Sequence, residues 1–224
     1  MSEEPGEEPK RPVPLSPNAR RVLGVLVEKA KTTPDNYPLT LASLISGCNQ
    51  KSNRDPKMDL DDEDALLALD ELRGLGASLE VQGSGRATKY RHAAYEWLGV
   101  ESAGAAVMTE LMLRGPQTIG EIRTRASRMY AISDLDAAKA VIKELLDKDL
   151  VQAVSPPGRG QVFAHKLYPP DEQQYLQAKV EKRAAVSTAA PKKSQTKVDQ
   201  LLARLETVSD RIDQLENRIK ELES

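Results

Sequence analysis

The sequence predicts a mainly α-helical chain with small β-hairpins, in which one unit of three helices and a hairpin occurs twice and a coiled-coil helix follows. Three observations predict it. Apolar residues recur at helical spacing in three stretches of each half, a two-residue alternation around a glycine-bearing turn closes each half, and an unbroken heptad pattern ends the chain.

In the first half, Ala19, Val22, Leu23, Leu26, Val27 and Ala30 form one stripe of an amphipathic helix, with Ser16 placed to cap it and Pro17 at its start. Leu41, Leu44, Ile45 and Cys48 repeat the spacing on a shorter helix capped by Thr40. A polar loop from Asn49 to Asp59 leads to a third helix, with Leu66, Leu69 and Leu72 expected inward and Gly74 and Gly76 ending it. Leu79 and Val81 then alternate with Glu80 and Gln82, residues 83–86 turn, and Thr88, Tyr90 and His92 alternate with Lys89 and Arg91. That is a hairpin.

The second half follows the same order. Val107, Met108, Leu111 and Met112 stripe a first helix, broken by Gly115-Pro116. Thr118 caps a second carrying Ile119, Ile122 and Ala126. Ala138, Val141, Ile142, Leu145 and Leu146 stripe a third, and Val151 and Val154 open a hairpin that returns through Val162. The repetition extends to letters. Glu71-Leu72, Val81, Gly85-Arg86, His92 and Tyr95 return 73 positions later as Glu144-Leu145, Val154, Gly158-Arg159, His165 and Tyr168. Upstream the offset grows to 78 (Thr40-Leu41 against Thr118-Ile119) and then to 85 (Val22-Leu23 against Val107-Met108), which places loop insertions in the first copy. Three helices and a hairpin make the winged-helix form of the helix-turn-helix. The expected domains are a winged helix over 17–98 and a second over 99–175.

The flanks differ. Residues 1–16 hold four glutamates and four prolines and are expected to be disordered, and 176–196, rich in Ala, Lys, Ser and Thr, is expected to be a flexible linker. From 197 to 224, Val198, Leu201, Leu205, Val208, Ile212, Leu215, Ile219 and Leu222 step alternately by three and four. Val, Leu and Ile at a with Leu and Val at d favour two strands. A parallel pair would set Arg211 and Arg218 against Glu216 and Glu223, so a homodimer through this coil is expected; pairing with another coil, or packing on the chain's own domain, are the alternatives.

Composition narrows the chemistry. One cysteine and two histidines exclude a disulfide framework and a His/Cys zinc site, and no cofactor is expected. No apolar run approaches the roughly 20 residues of a membrane span, so no membrane and a cytoplasmic location are expected. Glycines 83 and 85 lack the helix and the Gly-Lys-Ser/Thr of a phosphate loop. The acids from Asp59 to Asp64 lack the calcium-loop glycine and suit a helix N-terminus instead. Cys48 reads as core, and His92 and His165, at equivalent repeat positions, as packing residues. No nucleophile has a base beside it, so no enzyme is expected.

Residues 17–170 resemble a bacterial family of uncharacterised proteins, the YceH-like family. The strings that carry the likeness are Asp35-Asn36-Tyr37-Pro38-Leu39-Thr40, Cys48-Asn49-Gln50-Lys51-Ser52-Asn53-Arg54-Asp55-Pro56, and Leu113-Arg114-Gly115-Pro116-Gln117-Thr118. The resemblance implies tandem winged helices and, in many members, a C-terminal coiled coil. It implies no activity.

The sequence thus predicts a non-enzymatic binding protein, with duplex DNA and transcription regulation as the first expectation. The net charge of −2 leaves no strongly basic region, so phosphate contacts must be local. The candidates are Lys51, Arg54 and Lys57 in the first loop, Arg86, Lys89 and Arg91 on the first wing, Arg123, Arg125 and Arg128 on and after the second copy's middle helix, and Arg159 at the second wing tip. A DNA-reading third helix would offer bases its N-terminus, where the first copy carries Asp61, Asp62, Glu63 and Asp64. The alternative is a protein-interaction scaffold without DNA contact, of the kind formed by tandem winged helices in segregation proteins of the ScpB type.

Overall fold

Ser16 caps the helix that starts at Pro17, as the sequence suggests. Its Oγ accepts the Ala19 N–H at 3.1 Å, and Pro17 occupies the first turn where no backbone donor is needed. The computed structural model describes residues 13–82, 87–158, 160–173, 176, 178 and 180. Residues 1–12 of the expected disordered tail, all of the expected linker over 176–196 but residues 176, 178 and 180, the expected coiled coil over 197–224, Arg86 and Arg159 lie outside them. Leu15, expected within that tail, is buried.

The elements run α1 (Pro17–Thr32), β1 (Leu39–Thr40), α2 (Leu41–Cys48), α3 (Asp62–Gly74), β2 (Ser78–Gln82), β3 (Thr88–His92) and α4 (Ala94–Leu98), then α5 (Ser102–Arg114), β4 (Gln117–Thr118), α6 (Ile119–Ala126), α7 (Leu135–Asp147), β5 (Val151–Ala153) and β6 (Val162–His165). Side-chain caps start most of the helices. Asp61 and Asp64 form a reciprocal capping box at α3, Thr118 and Glu121 another at α6, and Asp134 Oδ1 accepts two backbone N–H groups at α7.

The duplication is structural as well as literal. At an offset of 73, α3 superposes in sequence on α7 end to end, and at 78, β1 and α2 do so on β4 and α6. Each half forms a three-stranded antiparallel sheet, ordered β1-β3-β2 in the first and β4-β6-β5 in the second. Even the register repeats, with Leu39 opposite Tyr90 and Gln117 opposite Phe163, and Ser78 opposite His92 and Val151 opposite His165.

One core serves both halves. Every residue of α1 from Ala19 to Glu28 and of α5 from Gly104 to Leu113 is buried, so these helices are covered on all sides and pack on each other. They approach closely at Gly24, where a Cβ would stand 2.9 Å from Leu113 Cδ2. Cys48 is fully buried, as expected.

Two inward placements are corrected. Leu66 is 42% exposed and Leu146 39% exposed. The buried stripe of α3 is Ala65, Ala68, Leu69 and Leu72, and Leu66 stands one residue, about 100° of helix, off it. In α7 the buried stripe is Ala138, Ile142 and Leu145, which leaves Leu146 outside it in the same way.

Candidate functional site

The ten cations expected to meet phosphate divide by what already holds them. On β3, Tyr90 lies opposite buried Leu39 and packs on the core, so its neighbours in sequence, Lys89 and Arg91, point off the other face, opposite Val81 and Leu79. Lys51 and Lys57 are exposed on the α2–α3 loop. No ion pair engages these four among the described residues.

Arg54 is different, and its expected phosphate contact is corrected. Its side chain is 0% exposed. The α2–α3 loop is five residues longer than its α6–α7 counterpart, and it folds back on the second copy, where the Asp55 N–H donates to the Leu113 carbonyl at 2.9 Å. That fold-back carries the Arg54 guanidinium into a two-pronged ion pair with Glu28 of α1, at 2.5 and 3.2 Å, while Nε donates to the Gly47 carbonyl at 3.0 Å.

Arg128 continues the network. Its Nη2 pairs with Glu28 and lies 3.4 Å from Glu110 Oε2. Glu110, fully buried on α5, forms an ion pair with Arg114, whose Nε lies 2.8 Å from Oε1 without the geometry of a hydrogen bond. Arg114 also donates to Asn53 Oδ1 of the folded-back loop. Arg125 donates to Gln117 Oε1 at 2.6 Å and lies 3.5 Å from Glu121. Arg123 donates to the Ser133 carbonyl at 3.1 Å. Burial alone would raise the Glu28 carboxyl pKa, but the hydrogen bonds and charges of Arg54 and Arg128 hold it below its ordinary value. Arg21, 2% exposed, donates to the carbonyls of Cys48 and Pro56, and burial, followed by the nearby charge of Arg54, pulls its pKa down.

Sequence reasoning missed Glu28, Glu110 and Arg114. The available signal was a charge inside a helix too apolar to have a solvent face, as in Val107–Leu113, since a fully buried carboxylate must be paired.

The outward faces of the third helices are unlike each other. On α3, Leu66 and Leu67 are 42% and 63% exposed among Asp62, Glu63 and Asp70. The α7 residues at the positions of Leu66, Leu67 and Asp70 are Lys139, Ala140 and Lys143, and both lysines pair along the helix, with Asp136 and Asp147.

The cysteine and the two histidines are held neutral. Burial pushes the Cys48 thiol up to about 12 and the His92 and His165 imidazoles down to about 4 and about 3. Each imidazole Nδ1 accepts the backbone N–H two residues on. Among the described residues no group of three His, Cys, Asp or Glu comes together to hold a metal, and no helix is long and apolar enough to cross a membrane. A cleft of about 290 Å³ beside β5, lined by Gln152 to Pro156 with Gln173 and Leu176, contains no titratable side chain.

These features define a mixed, mainly helical protein with a small antiparallel sheet in each half and a seam of paired arginines and glutamates between the halves. The chain belongs to the family described as "Protein of unknown function, DUF480", which it matches over residues 15–159. It is similar to a UPF0502 protein of Rhodopirellula baltica, at 65% identity over 84% of this chain and 79% of the relative. A UPF0502 protein of Geobacter sulfurreducens is 46% identical over 66% of this chain and 69% of its own, and one of Koribacter versatilis 40% identical over 71% and 76%. The expectation of an uncharacterised bacterial family is met.

Proposed function

We propose that the protein is a non-enzymatic binding protein built of two winged helices, and that it docks a protein partner through the outer face of α3. The winged-helix reading is supported by the element order helix–strand–helix–helix–strand–strand and by the sheet order β1-β3-β2, which occur in both copies. One observation carries the docking. Leu66 and Leu67 stand exposed where a DNA-reading helix would meet bases, and the acids Asp62, Glu63 and Asp70 around them repel phosphate. Covering the two leucines would contribute about 1 kcal/mol each. A parallel coiled coil over 197–224 would present two such faces and add avidity.

Duplex DNA is the second reading, favoured by the exposed Lys51, Lys57 and Arg91 and the half-buried Lys89, none of which is in an ion pair among the described residues. Fluorescence anisotropy on a random duplex between about 50 and 200 mM salt separates the two. The protein reading expects no salt-dependent binding by those cations, together with a cross-linked partner that disappears in Leu66→Ser/Leu67→Ser. A steep negative salt slope abolished by Lys89→Glu/Arg91→Glu would put DNA in its place.

A further inference from the structure

We propose that Arg114, Arg125 and Arg128 form an oxyanion site, at the end of α5 and on and after α6, that takes the phosphate group of a ligand. The site is separate from the α3 face and does not depend on it. All three guanidiniums gather around the end of α5. Arg114 and Arg128 share the Glu110 carboxylate, at 2.8 and 3.4 Å. Arg125 is tied to the same place through Gln117, whose Nε2 donates to the Glu110 carbonyl at 3.2 Å.

What lies beneath them is built. Glu28 and Glu110 are 2% and 0% exposed, and each is shared by two guanidiniums, so neither neutralises its partners one for one. The three arginine side chains are themselves 18%, 33% and 31% exposed. Buried carboxylates and an amide hold them from within, Arg114 also donates to Asn53 and Arg125 lies 3.5 Å from Glu121, and all three side chains remain partly exposed. Crowding of like charge is evident at Arg114, whose pKa is lowered first by burial and, against the pull of Glu110, by Arg125, Arg128 and Arg54. A dianionic oxyanion would relieve that crowding, and the guanidinium fork matches phosphate geometry. Lys89 and Arg91 on β3 have no such carboxylate backing among the described residues.

Phosphate could arrive on a small molecule or on a nucleic-acid backbone, and the test separates them. Full-length protein is titrated with inorganic pyrophosphate by calorimetry at low salt, and a labelled duplex is titrated in parallel by anisotropy. Pyrophosphate is expected to bind with a Kd below about 1 mM, and Arg125→Gln to weaken it about tenfold, whereas Lys89→Gln leaves it unchanged. Arg125 touches neither buried glutamate, so its variant keeps the fold; an unchanged circular-dichroism melt checks this. Arg114→Lys, which keeps the charge and loses the fork, is expected to fall between. Duplex binding that Arg125→Gln weakens in parallel makes the backbone the source, and pyrophosphate binding without duplex binding makes it a small phosphorylated ligand. Absence of binding by both probes, or binding that Arg125→Gln leaves intact, overturns the site.

Discussion

His165 is 1% exposed at the end of β6, where its Nδ1 accepts the Leu167 N–H at 3.2 Å and its ring stacks on Tyr168 with centroids 4.0 Å apart. His92 repeats the arrangement in the first copy, accepting from Ala94 and meeting Tyr95 edge-on at 5.3 Å. Burial, with the Arg20 charge adding to it, pushes His165 from 6.5 down to about 3; burial, Lys31 and Arg91 push His92 to about 4. Both rings are therefore neutral when folded and take a proton near 6.5 when unfolded. The unfolded chain binds more protons below that value, so stability is complete above about 6.5 and falls as pH drops toward 4. The urea midpoint is expected to decline from pH 7 to pH 5, by up to about 1.4 kcal/mol of stability per unit per histidine. His165→Gln should flatten that slope, and a midpoint level across the interval would disprove the burial of charge-free rings. Their equivalence was legible from the 73-residue offset alone, because a repeated His followed three positions later by Tyr marks one packing solution used twice.

At the scale of elements, the six longer helices were legible because apolar spacing is local, and so were the caps at Ser16, Thr40 and Thr118. The five-residue α4 and the two-residue strands β1 and β4 were not, being too short to show a period. Ser16, Thr40, Asp61, Thr118 and Asp134 each accept a backbone N–H within three residues. The α2–α3 loop was not legible. A lysine- and arginine-bearing loop reads as solvated, and nothing within it shows that it lies against α5, which begins more than forty residues later. That contact decides the fate of Arg54, and with it one of the expected phosphate ligands. Arg54→Ala would leave Glu28 buried with only Arg128 to pair it, and is expected to cost about 3–5 kcal/mol in chemical denaturation. The double variant Glu28→Met/Arg54→Met removes both charges and should recover most of the loss. Equal instability of the single and double variants would mean that packing of the loop, rather than the buried pair, holds the halves together.

For the molecule as a whole, the two copies cannot be independent, because α1 and α5 each lie in the shared core and α1 packs along α5. Each copy alone is a unit of about 75 residues, a size at which roughly 60% of the unfolded surface is buried, so the shared helices supply what neither copy has by itself. Thermal unfolding over residues 17–170 is expected to be one transition, with equal calorimetric and van't Hoff enthalpies; two resolved steps would mean that the seam is not part of the cooperative unit. The same molecule has an unusual closure. The Leu15 N–H donates to the Leu167 carbonyl at 3.0 Å, and Arg20 holds both the Leu15 carbonyl, at 2.6 Å, and the Glu172 carboxylate, at 2.5 Å. The point of entry and the point of exit therefore touch. In covalent terms the duplicated unit is a ring with one bond missing, and where that gap falls is arbitrary. Joining the two by a short bridge and opening the chain at Gly99 would exchange the order of the copies while keeping every contact between them.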